Sequence, residues 1–289
     1  MRKTEKDEDE EGDEEGDNDM PLRLNAITNN SQDPALLAGI LGPIVQANDS
    51  AFVTPDGSYI HGRTEMIDTK TGQLIGHYVF TYKVHNEKKS LEILDIDLML
   101  ASQTRTRVSF LKCLPESSDA NEYYDVEAAD MGQHLQIETV NRHTVAEQIE
   151  GTEREVSACA FPFQLSVYRN LRMLNKHFGF RRHKRIGKTG MKAFGFSDTF
   201  AAPGNVFAKE DAQPYSFMIG TVRSFRDVSI RIDEQKLDFV LAQVETALGI
   251  IPVAMGREVF DLKKLRKGCV ISMNADVKVD LSKPEDFKR

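Results

Sequence analysis

Residues 269–281 read "CVISMNADVKVDL", and no other stretch of the chain states a structural period so plainly. Cys269, Ile271, Met273, Ala275, Val277, Val279 and Leu281 alternate with Ser272, Asn274, Asp276, Lys278 and Asp280, and only Val270 breaks the polar side. A period of two is that of a β-strand with one apolar and one polar face. The polar residues are therefore expected to form a charge ladder facing solvent. Such a run would span about 43 Å if straight, so it is expected to coil around a small barrel.

Working back from this strand, "VFDLKKLRKG" (259–268) reads as a short turn or helical piece closed by Gly268. Before it, "DFVLAQVETALGIIPVAMG" (238–256) gives two β-rich arms around "ETALG", and "YSFMIGTVRSFRDVSIRI" (215–232) opens the block with a long strand. Strand, hairpin, short turn and long final strand make the order of a five-stranded OB-like small β-barrel. A competing period runs through the same block. Leu237, Leu241, Val244 and Leu248 also fit a helix, with Asp233 as N-cap and Gly249 just past its end.

Upstream, "LIGHYVFTYKV" (74–84), "LEILDIDLML" (91–100), "TRVSFLKCL" (106–114) and "QHLQIETVNRHTV" (133–145) read as strands of an antiparallel sheet. "DTKTGQ" (68–73) supplies a hairpin turn. The acidic stretch "PESSDANEYYDVEAAD" (115–130) reads as a loop, and "SQDPALLAGILGP" (31–43) as a short helix. Near residue 163 the period changes to that of a helix. Taking Val167 as reference, Leu171, Leu174 and Phe178 fall within about 40° of it, with Arg169, Arg172 and Lys176 on the opposite side. Gly179 stands where a left-handed residue would end that helix.

The expected fold class is mainly β, a β-rich α+β protein. Its parts are a disordered acidic tail (1–20), a β-rich N-terminal domain ending in a basic helix and loop (21–195), a linker (196–213) and an OB-like C-terminal domain (214–289).

The net charge of −8 comes entirely from the tail. Residues 1–19 hold eleven acids against three bases, and removing them from totals of 45 and 37 leaves 34 of each. A like-charged run of this kind repels itself and buries no apolar surface. The three cysteines are far apart and form no Cys-x-x-Cys pair, which fits reduced thiols in a cytoplasmic protein. The longest apolar stretch, "ALLAGILGPIV" (35–45), is too short and too broken to span a bilayer, so no membrane role is expected.

Against this neutral body, the segment 169–192 holds nine bases, Arg169, Arg172, Lys176, Arg181, Arg182, Lys184, Arg185, Lys188 and Lys192, with two histidines and no acid. Concentrated Lys and Arg are what phosphate neutralisation requires. Phe180, with His177 and Phe178, interleaves aromatic rings on which unpaired bases stack. The Gly187-Lys188-Thr189 triplet is not a phosphate loop, because Gly-x-x-x-x-Gly-Lys-Ser/Thr would need glycine at 182, where Arg182 stands.

Three readings follow. The first is a non-catalytic protein binding single-stranded DNA or RNA, its acidic arm competing for its own basic patch. The second is a structural or assembly adaptor that meets acidic protein partners, or copies of itself, through arm and patch. The third is a metal-dependent nuclease built on Asp276 and Lys278, two apart on one strand, which lacks an acidic partner on a preceding strand. Asp95 and Asp97 likewise lie two apart and are expected on a solvated strand face. No catalytic residue, metal ligand set or cofactor motif stands out, and no histidine pair has metal-ligand spacing.

Overall fold

The computed structural model describes residues 26–29, 50–85, 90–117, 122–140, 142, 148–180, 195–204, 214–232 and 235–282. The acidic tail, the expected helix at 31–43, and Arg181, Arg182, Lys184, Arg185, Lys188 and Lys192 lie outside them.

The described chain is mainly β and forms two sheets. The first is antiparallel and follows chain order: β1 (Ser50–Val53), β2 (Tyr59–Ile67), β3 (Leu74–His85) and β4 (Ser90–Leu100). The expected turn at 68–73 joins β2 to β3. Gly72 takes a φ of 71°, and the Asp68 carboxylate accepts the Lys70 N–H at 3.1 Å and the Thr71 hydroxyl at 2.6 Å. It also accepts the Ser229 N–H at 3.1 Å, fastening the turn to the second sheet. Burial pushes this carboxyl up, but those hydrogen bonds and nearby Arg226 outweigh it and hold the group below the usual carboxylate range.

The second sheet is larger and mixed. It contains β5 (Arg105–Cys113), β6 (Glu122–Ala128), β7 (Gln133–Val140), β8 (Glu153–Tyr168), β9 (Ala201–Pro203), β10 (Ser216–Ile232), β11 (Gln235–Thr246), β12 (Gly249–Gly256) and β13 (Val270–Asp280). Its one helix among the described residues is α1 (Leu171–His177).

The helical alternative for 233–248 gives way to a strand, because β11 has partners on both sides, β10 and β12. The expected loop at 115–130 contains β6, whose acids Asp125 and Glu127 alternate with buried Tyr124, Val126 and Ala128.

Long strands β8 and β13 run antiparallel over eleven paired positions, from Val270 opposite Tyr168 to Asp280 opposite Ser157. Strand pairing closes two circuits on this ribbon. One runs β8, β5, β6, β7, β13, and the other runs β13, β10, β11, β12, β8. In each, a three-strand meander is antiparallel and its last strand joins the ribbon in parallel.

The two sets repeat each other in detail. A register shift falls at Phe110/Lys112 in one and at Val222/Ser224 in the other. The Phe110 N–H donates to the Thr152 carbonyl at 2.9 Å, and the Phe110 carbonyl accepts the Gly151 N–H at 2.7 Å; in the same way the Val222 N–H donates to the Cys269 carbonyl at 2.9 Å and the Val222 carbonyl accepts the Gly268 N–H at 2.8 Å. Gly151 and Gly268, at φ 78° and 80°, open the fourth strand of each set. One supersecondary pattern thus occurs twice, each copy lending its fourth strand to the other. Residues on either side of the expected linker, 196–213, therefore share one sheet, and Ala201–Pro203 within it is a strand paired with β10.

Both faces of the ribbon are covered. Val156, Ala158, Ala160, Ala275, Val277 and Val279 pack into the main core of the second sheet. Cys159 and Phe161 pack with Phe80, Ile96 and Leu98 of the first sheet. This corrects the reading of β13 as half-buried: Ser272, Lys278 and Asp280 are buried too. Asp95 and Asp97, expected on a solvated face, are buried on β4 for the same reason.

All three cysteines are free thiols, and burial pushes Cys159 up to about 12. No helix among the described residues is long and apolar enough to cross a membrane.

Candidate nucleic-acid interface

The helix of the basic segment is shorter than its periodicity suggests. Val167, the expected start of the stripe, belongs to β8 and pairs with Ile271, so strand geometry persists to Tyr168. Asn170 then caps α1, its Oδ1 accepting the Met173 N–H at 3.1 Å. The end is as expected. Gly179, at φ 80°, donates to the Lys176 carbonyl at 3.1 Å and Phe180 to the Asn175 carbonyl at 2.8 Å, the paired bonds that close a helix through a left-handed residue.

Arg169 therefore lies in the bend before the helix, while Arg172 and Lys176 lie on it; all three are exposed. Leu174 is the buried anchor, packed with Phe217, Ile219 and Val270. The Asn175 amide clips the helix to Phe196, donating to its carbonyl at 3.1 Å and accepting its N–H at 2.7 Å. Gly195 permits that approach, since a Cβ there would sit 3.0 Å from the Asn175 oxygen.

A file of rings runs beside this helix. Tyr168 meets His177 at 5.4 Å, His177 meets Phe178 at 5.3 Å, and Phe178 and Phe180 each meet Phe196 edge-on at 5.2 Å. Phe178 and Phe180 remain 41% and 37% exposed. They are half core and half surface, so neither a purely buried nor a purely solvated role describes them.

The end of β8 and the helix line a cleft of about 930 Å³ together with the turn between β12 and β13. Arg169, Lys176, His177 and Tyr168 come from one segment, and Lys263, Lys264 and Arg266 from the other. Asp261 is the one acid among the described residues of the lining, and its Oδ1 accepts the Lys263 N–H at 3.2 Å. A smaller recess of about 240 Å³ adjoins it, sharing Tyr168 and His177 and adding Phe178 and Phe217.

Arg169, Arg172, Lys176, Lys263, Lys264 and Arg266 make no ion pair with another described residue. Elsewhere on the surface, Arg107 pairs with Asp130, Arg142 with Glu122, Arg223 with Glu245 and Arg257 with Asp227. Among the described residues, then, no carboxylate is ion-paired with the bases around the cleft.

Of the expected contact residues, Arg169 and Lys176 line this cleft; Arg172 lies on the same helix and Phe180 just past its end, both outside the lining. The six from Arg181 to Lys192 lie outside the described residues. Lys263, Lys264 and Arg266 are additions from the structure. Their signal in the sequence is the run "KKLRKG" (263–268), which no longer reads as a mere turn once Tyr168 and Val270 are seen to be neighbours.

Lys278 is not a water-orienting lysine at the surface. Its ammonium is fully buried between the Asp97 carboxylate and Glu138 Oε2, the latter at 2.9 Å. Among the described residues no three His, Cys, Asp or Glu side chains converge as a metal-ion set. No protein-family model matches the chain, and no curated protein or solved structure shows detectable similarity to it.

Proposed function

We propose that this is a non-catalytic, cytoplasmic nucleic-acid-binding protein that holds single-stranded DNA or RNA at the cleft between α1 and the β12–β13 turn. The observation that carries this reading is the gathering of unpaired bases around exposed aromatic rings, in a body whose other surface bases are largely matched by acids. Bases neutralise phosphates and release counterions, while rings stack on unpaired nucleobases regardless of sequence. Duplex DNA keeps its bases stacked inside and offers the rings nothing.

The fold is compatible with this role. A meander whose third strand joins the closing strand in parallel follows the pairing order of an OB-like barrel, and in this reading the chain holds two, interlocked through β8 and β13. Fold by itself does not define function, so the weight rests on the cleft. The acidic arm, tethered to the same chain, acts as a built-in competitor at an effective concentration of about a millimolar.

Fluorescence anisotropy of labelled single-stranded DNA, RNA and duplex across a salt series tests this. Single strands are expected to bind more tightly than duplex, with log affinity falling by about 0.7 per phosphate contact for each tenfold rise in salt. A chain beginning at Met20 is expected to bind more tightly than the whole chain. Absence of binding by both at low salt would end this reading and favour an adaptor that docks acidic proteins.

A further inference from the structure

We infer that the β12–β13 turn is a second phosphate-binding wall, so that a single strand threads a two-sided cleft and does not lie on the end of β8 and α1 alone. This rests on the nucleic-acid reading above and goes beyond it in assigning Lys263, Lys264 and Arg266 to the site.

The backbone that carries those side chains is fixed. Leu262 is buried in the main core beneath them. The Leu265 N–H donates to the Leu262 carbonyl at 2.9 Å, the Cys269 N–H to the Arg266 carbonyl at 3.1 Å, and the Gly268 N–H to Val222 on β10 at 2.8 Å. Asp261 spends one oxygen on the turn's own backbone, which leaves the three cations facing the cleft without a local carboxylate ion pair. Bases fixed by backbone bonds lose less conformational freedom on meeting a ligand than bases on a loose arm.

The occupant follows from the two kinds of group present. Cations on two separate chain segments suit a polyanion passing between them, and a compact anion would be met from one side. Tyr168 and His177, in the cleft lining beside Arg169 and Lys176, give flat partners for nucleobases, which an acidic peptide lacks. Single-stranded nucleic acid supplies both the repeated charge and the rings.

The test is the full-length triple variant Lys263→Ser, Lys264→Ser, Arg266→Ser, titrated with a labelled single-stranded oligonucleotide across salt. The control variant Lys70→Ser, Arg107→Ser, Lys236→Ser removes equal charge at positions outside both the cleft lining and the β12–β13 turn. The cleft variant is expected to show a salt slope shallower by about 2 and affinity lower by roughly 100-fold near 0.1 M salt, with the control close to the parent. Near-UV circular dichroism matching the parent would confirm that the turn still folds.

If the parent binds and the cleft variant keeps its affinity and slope, the second wall is wrong and the nucleic-acid reading stands. If the parent binds no single strand, both fall.

Discussion

Replacing Lys278 by alanine is expected to lower the unfolding free energy by about 3–5 kcal/mol, measured by urea denaturation. Lys278 lies on β13 with no exposure, and Asp97 and Glu138 are 1% and 2% exposed. One carboxylate comes from the first sheet and the other from β7 of the second, so a single ammonium ties three strands across the sheet interface. Removing it leaves two desolvated anions facing each other at a site water does not reach. Their repulsion and lost hydration, not the loss of a favourable pair, account for most of the cost.

The complementary triple variant, Lys278→Met, Asp97→Leu, Glu138→Leu, separates these contributions. Because a buried ion group contributes little net stability against well-packed apolar residues, the triple variant is expected to be more stable than Lys278→Ala alone. A cost below about 1 kcal/mol for Lys278→Ala would mean that the site is hydrated and the account of its burial is wrong.

The second large effect concerns the boundary at 196–213. A fragment of residues 214–289 is expected to show no cooperative unfolding transition in urea and no near-UV circular dichroism. In the whole chain β8 lies between β12 and β13, pairing with β13 at eleven positions and meeting Val253 of β12 at Ala160. Without it, β13 keeps only β10 as a neighbour, Val277 and Val279 lose Ala160 and Ala158 from across the ribbon, and Lys278 loses both carboxylates. An isolated meander with an open apolar edge is marginal in water. A sigmoidal transition from this fragment would show that the C-terminal strands form a self-sufficient unit.

The strands were legible where one face meets solvent or where turn residues bracket them, as at 68–73 before β3. They were not legible where acids occupy the outer positions, which hid β6 behind Glu122, Asp125 and Glu127. The alternation of β13 identified a strand and its core face, but nothing within 269–281 tells what covers the other face. That cover includes Asp97 of the first sheet, more than a hundred residues away in sequence. The doubled pattern was invisible for a related reason. Its halves share bulges, turn glycines and hydrogen bonds, with Phe110 in one standing where Val222 stands in the other, so the likeness is one of backbone and not of side chains.

The candidate interface divides the same way. Arg169, Arg172, Lys176 and Phe180 are visible as part of an acid-free basic run. Lys263, Lys264 and Arg266 become part of one cleft with Arg169 and Lys176 only because the ribbon sets Tyr168 beside Val270. The helical period was expected from near residue 163, whereas the helix starts at Leu171, because Val167 satisfies both a helical stripe and the strand; pairing with Ile271 decides it.

The central claim, that single-stranded nucleic acid occupies this cleft, is tested most directly by ultraviolet crosslinking of an oligonucleotide carrying photoreactive pyrimidines, followed by peptide mapping. Adducts concentrated on Tyr168, His177 and Phe178 and on the 261–266 turn are the expected result. Adducts confined to the first sheet, or none at concentrations where anisotropy shows binding, would contradict it.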